Sequence, residues 1–134
     1  MADRLPDWQA RLTAYLAQVR EAPFAWGRHD CALFVAGAVE AMTGEDLARG
    51  VRSYRSKAAG LAALQARGHA DHEALAAALL EEVPPLLARP GDVVVTDGEG
   101  GPALGIVQGE QVYLVGLEGL GLAPRSAVRR AFRV

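Results

Sequence analysis

At Pro90-Gly91 the sequence changes texture. Before that point alanine and leucine recur at three- and four-residue spacing; after it alanine is sparse and β-branched residues come in short runs separated by glycine. Helices first and strands second is the pattern of an α+β domain with segregated layers, because alternating βαβ units would mix the two textures along the chain. The shift lies too near the C-terminus to bound a second domain, so residues 1–134 are expected to form one domain around one core.

Four helices are predicted in the first part. Trp8, Leu12, Tyr15, Leu16 and Val19 share one face of a helix within Leu5 to Glu21, which Pro23 closes. The apolar run from Cys31 to Met42, with Asp30 as N-cap and Gly44 just past its end, reads as a buried helix. Ser56 is placed to cap Lys57 to Ala66, which Gly68 terminates, and Asp71 to cap His72 to Glu82 before Pro84-Pro85. Strands are predicted over Asp92 to Thr96, Leu104 to Gln108 and Gln111 to Val115, with turns at Asp97 to Gly101 and Gly109-Glu110. Arg130 to Val134 is expected as a last strand.

Composition narrows the function classes. The chain is 51% hydrophobic and 22% charged, enough to bury a core. Aromatics make up only 6% and alanine 26 of 134 residues, which favours close-packed helices over a β-sandwich. A net charge of −2 offers no positive field for phosphates, so nucleic acid is not an expected partner. No apolar stretch is long enough to span a membrane, and Met1 to Trp8 carries two acids and a proline where a signal peptide would be apolar. Synthesis in the cytoplasm is the expectation. A single cysteine excludes an internal disulfide and any zinc site built on several thiolates, and no metal or cofactor is expected.

That cysteine, Cys31, opens its helix, where unpaired backbone N–H groups and the helix dipole favour a thiolate. A nucleophilic thiol needs a base and a third group to orient that base. His29, two residues upstream in the same loop, is the candidate base. His69 and His72 flank the cap of the fourth helix and read as exposed cap-region residues. The bland alternative for Cys31 is a small packing residue beside Ala-Leu-Phe-Val.

Asp30-Cys31 at a helix start, Gly91-Asp92 before a strand and Ala103-Leu-Gly-Ile-Val-Gln-Gly109 as the next strand resemble the NlpC/P60 superfamily of papain-like cysteine peptidases. Trp26, Thr43-Gly44, Tyr54 and the glycine-rich Gly116 to Gly121 leading to Phe132-Arg-Val resemble more closely an uncharacterised family encoded among phage and prophage tail-assembly genes. The resemblance implies a papain-like fold, N-terminal helices packed on a short antiparallel sheet, with Trp26, Asp30 and Tyr54 as candidate binding residues around Cys31. It also implies a departure: the superfamily's catalytic histidine falls on Ala103, and its third polar residue on Val115. An alanine can neither accept nor donate a proton.

Two functions follow from this. One is a tail-associated protein of phage origin with a degraded triad, carried in a phage-like particle and binding tail or other virion proteins. The other is an active cysteine hydrolase that cuts amide bonds of cell-wall peptides, using Cys31 and a non-standard histidine, His29. A host enzyme or toxin-like module that shares only the fold is a third class. Asp92 is read as structural. Arg125, Arg129, Arg130 and Arg133 read either as a solvated edge strand or as a docking patch for an acidic partner, and Gly116 to Gly121 as a mobile loop exposing leucines.

Overall fold

The computed structural model describes residues 3–134. Four helices, α1 (Trp8–Val19), α2 (Cys31–Thr43), α3 (Lys57–Ala66) and α4 (His72–Leu79), precede six strands: β1 (Glu81–Val83), β2 (Val93–Gly98), β3 (Gly101–Gln108), β4 (Gln111–Val115), β5 (Leu120–Pro124) and β6 (Arg130–Arg133). The architecture is α+β, as the change of texture implies. Helices α2, α3 and α4 begin at the expected caps, where Asp30, Ser56 and Asp71 accept from the backbone N–H groups of Leu33, Ala59 and Ala74. Gly44, at φ 81°, closes α2 in the left-handed conformation that glycine adopts without strain.

The strands form one antiparallel sheet in the order β1-β6-β2-β3-β4-β5. Side chains alternate across it. Val93 and Val95 of β2 join Ile106 and Phe132 against Phe34, Val39 and Met42 of α2, while Val94 lies with Val107, Val112 and Ala131 in a smaller apolar cluster. Phe34, Val39 and Met42 are fully buried, so α2 is the helix around which the main core is built.

Several boundaries differ from expectation. Helix α1 starts at Trp8 rather than Leu5, because Pro6 and Asp7 precede it in a turn. Helix α4 ends at Leu79 rather than Glu82: Leu80 is extended, and Glu81 to Val83 pair with Arg133 to Ala131 as β1. The turn expected from Asp97 to Gly101 shrinks to Glu99-Gly100, since Asp97 and Gly98 pair with Pro102 and Gly101. The glycine-rich loop is shorter than expected because Leu120 to Pro124 form β5 on β4, although Leu117 remains exposed.

The arginine-rich end is neither an edge strand nor an unpaired patch. β6 lies between β1 and β2, and two arginines, one just before it and one at its start, are neutralised within the chain. Arg129 and Arg130 both reach Glu73, at 2.9 and 3.0 Å, and also bind Asp97 and Glu82.

Asp92 closes the fold. Its fully buried carboxylate accepts from Arg4, from the Arg89 N–H and from the Val134 N–H, at 2.8, 2.8 and 3.1 Å. Arg4 also donates to the carbonyls of Val134 and Pro90. This joins the residues before α1, the approach to β2 and the C-terminus. Replacing one partner of a buried pair strands the other charge. Arg4→Ala is therefore expected to lower stability by about 3 kcal/mol, read as a lower urea midpoint at unchanged slope.

Candidate active site

The loop before α2 is built around a second buried carboxylate. Asp30 is 2% exposed and accepts from three donors: the Gly27 N–H at 3.1 Å, the Leu33 N–H at 3.0 Å, and the Tyr54 hydroxyl. The Ser53 N–H donates to Gly27 O, so the segment carrying Tyr54 is pinned against the same loop. Only glycine fits at position 27. Its φ is +74°, and a Cβ there would lie 1.9 Å from the Tyr54 carbonyl oxygen. Burial first, and then the hydrogen bond to Asp30, raise the Tyr54 pKa well above its ordinary value, so the phenol stays neutral and donates.

Cys31 follows Asp30 directly and is half-buried at the first position of α2. The first N–H groups of a helix have no partner within it. Asp30 takes that of Leu33, which leaves those of Cys31 and Ala32 beside the thiol.

The imidazole that meets Cys31 belongs to His72, at the first position of α4. Its Nε2 lies 2.6 Å from the carbonyl oxygen of Pro102 on β3. A carbonyl can only accept, so Nε2 carries the proton and Nδ1 is left to exchange one with the thiol. Burial of the ring opposes its charge. Its hydrogen bond and electrostatic interaction with Cys31, with the Pro102 carbonyl and Asp71, outweigh burial and push the His72 pKa up to about 9. Glu73, the next residue, holds Arg129 and Arg130 and so ties the start of α4 to the residues leading into β6.

His72 is thus not the exposed cap residue that its sequence context suggests. His29, the candidate base, sits differently. Its backbone bridges Ala25, its ring packs edge-on against Phe34 at 6.1 Å, and its Nε2 is buried without a hydrogen-bond partner. Burial lowers its pKa against the opposing charge of Asp30, which favours the neutral ring. Of the candidate binding residues, Asp30 has its oxygens engaged in the loop, Tyr54 spends its hydroxyl on Asp30, and Trp26 is 41% exposed with its ring edge-on to Phe24 at 4.7 Å.

Ala103 lies on β3 opposite Thr96, one residue after the carbonyl that holds His72, and Val115 pairs with Leu120. β3 therefore contributes a backbone oxygen rather than an imidazole. His72 was hidden in the sequence because it stands 41 residues from Cys31 in an alanine-rich helix. One signal was present: Asp30-Cys31 and Asp71-His72 are both a capping aspartate followed by a reactive side chain at a helix start.

A family model described as a domain of unknown function, DUF6950, matches residues 3–134. The chain belongs to that family. Among solved structures the fold is similar to RipD from Mycobacterium tuberculosis, described as a non-catalytic NlpC/p60 domain protein adapted to peptidoglycan binding. The TM-score is 0.56 at 17% identity, over 97% of this chain and 99% of that one. The likeness shows an NlpC/p60-type fold. No curated protein matches. Among the described residues no cluster of His, Cys, Asp and Glu could hold a metal ion, and no helix is long and apolar enough to cross a membrane.

If His72 sets the state of the thiol, alkylation of Cys31 by iodoacetamide at pH 7 falls roughly tenfold in His72→Ala and is unchanged in His29→Ala. Equal rates in all three proteins would separate Cys31 from His72. Tyr54→Phe, which removes one of three donors to Asp30, is expected to cost about 1–2 kcal/mol in a urea titration.

Proposed function

We propose that this DUF6950 domain is a cysteine hydrolase of NlpC/P60 type that acts on amide bonds of cell-wall peptides, with Cys31 as nucleophile and His72 as base. The observation that carries the reading is the position of His72, its Nε2 held 2.6 Å from Pro102 O and its ring coupled to Cys31 by hydrogen bonding and charge. A nucleophile, a base and a group that orients the base are the minimum for this chemistry.

The reaction follows from the roles of these groups. The Cys31 thiolate attacks the carbonyl carbon, and the electron pair of the C=O bond moves to oxygen, where the N–H groups of Cys31 and Ala32 stabilise it. Collapse breaks the C–N bond as His72 gives its Nδ1 proton to the leaving amine. A thioester to Cys31 remains. Water, deprotonated by His72, then releases the acid and restores the thiol–imidazole pair. The Pro102 carbonyl keeps the ring's tautomer and orientation through both steps.

The peptidoglycan-binding description of RipD supports a cell-wall peptide as ligand. The sequence resemblance to tail-cluster proteins supplies the setting, a virion component that meets the wall. A second reading is favoured by Ala103 and Val115: a non-catalytic domain that binds the same peptides, or another virion protein, without cutting them.

Incubation with purified peptidoglycan stem peptides, followed by mass spectrometry, separates the two. The hydrolase reading expects amide cleavage that falls about 100-fold or more in Cys31→Ala and in His72→Ala. Binding without cleavage, equal in wild type and Cys31→Ala, would establish the second reading instead.

A further inference from the structure

Between α2, α3 and α4 lies a cavity of about 40 Å³. Its walls include Ala36, Leu47, Ala48, Leu75, Leu79 and Leu104, and its two polar neighbours are Tyr54 and His72. Leu33, Ala36 and Ala48 are at most 6% exposed, whereas Tyr54, His72, Leu75 and Leu79 reach solvent. Ala32, which follows Cys31 in α2, and His72 both line the cavity, so it lies beside the nucleophile.

Its chemistry is selective. One water needs about 10–15 Å³, so this space has room for about three heavy atoms, but the Tyr54 hydroxyl is spent on Asp30 and His72 Nε2 on the Pro102 carbonyl, which leaves little to hold water. A charged or amide group would lose its hydration there without replacement. An aliphatic group would lose nothing and would fill contacts that the leucines otherwise lack.

We infer that this cavity is a substrate subsite for a short aliphatic group, three or four carbons long, on the acyl side of the bond that Cys31 attacks. The inference rests on the hydrolase reading and adds the substrate class. Two sources carry this chemistry: the side chain of a residue such as valine or leucine, or a short alkyl acyl group. A longer chain overfills the space. Ala48 is a buried wall residue with a small side chain, so Ala48→Leu fills the cavity. Leu79, 41% exposed, enlarges it when cut to alanine.

The test uses p-nitrophenyl acetate, butyrate and octanoate, with acetyl-Ala, acetyl-Val and acetyl-Leu p-nitroanilides, against Cys31→Ala as blank. Two added methylenes in an apolar site raise kcat/KM about tenfold from acetate to butyrate, and octanoate falls back. Ala48→Leu abolishes that rise while keeping acetate turnover, which shows that the protein is folded and active. Leu79→Ala moves the optimum to a longer chain. Preference for the valine or leucine anilide over alanine identifies a side chain as the occupant, and preference confined to the esters identifies an acyl group. Acetate turnover with no dependence on chain length in any variant overturns the subsite and leaves the hydrolase standing. No turnover of any ester or anilide above the blank overturns the hydrolase, and the subsite with it.

Discussion

The position of Cys31 depends on one buried carboxylate. Asp30 gathers an N–H from the turn before it, an N–H from the helix after it and a phenol from a segment 24 residues downstream. Each bond satisfies a group that would otherwise be buried unpaired, and a charged acceptor makes each stronger than a neutral one would. The result is a helix start that cannot rotate or fray, with the thiol next to the capping residue. Gly27 allows this by letting the Tyr54 backbone approach where any side chain would collide. The local sequence Trp-Gly-Arg-His-Asp-Cys is thus a compact device for aiming one side chain.

A second aspartate-capped helix brings the imidazole. α4 is only eight residues long, too short to hold its place by helix propensity alone. It is fixed at its start by His72 to β3 and by Glu73 to Arg129 and Arg130, and at its end by Leu80 in the core and by β1. The arginines that look from composition like a basic surface are anchors for the helix that carries His72. The site thus keeps an imidazole beside its thiol although β3 has Ala103 where a histidine is expected, because β3 still offers the Pro102 carbonyl.

Much of this was legible in the sequence and some was not, for physical reasons. Caps are short-range: Asp30, Ser56 and Asp71 announce their helices because the accepting oxygen and the donating N–H are three residues apart. β2 and β4 are rich in valine and β3 carries Ile106-Val107, so their β-branched runs show. β5 reads Leu-Gly-Leu-Ala-Pro, with no β-branched residue, and is a strand only because β4 offers an edge to pair with. Glu81 to Val83 looks like the end of a helix until β6, some 50 residues on, claims it. The partnership of Cys31 with His72 is of the same long-range kind. His29 was nearer along the chain, but its ring turns to Phe34.

The coupling of His72 to Cys31 is the central claim, and NMR titration of the His72 ring tests it most directly. In the wild-type protein the ring is expected to stay protonated through neutral pH and to titrate near 9. Cys31→Ala removes the partner that raises the pKa and leaves burial as the largest influence, so the midpoint falls to about 6.5 or below. A wild-type midpoint near 6.5 that Cys31→Ala does not move would contradict the coupling and, with it, His72 as the base.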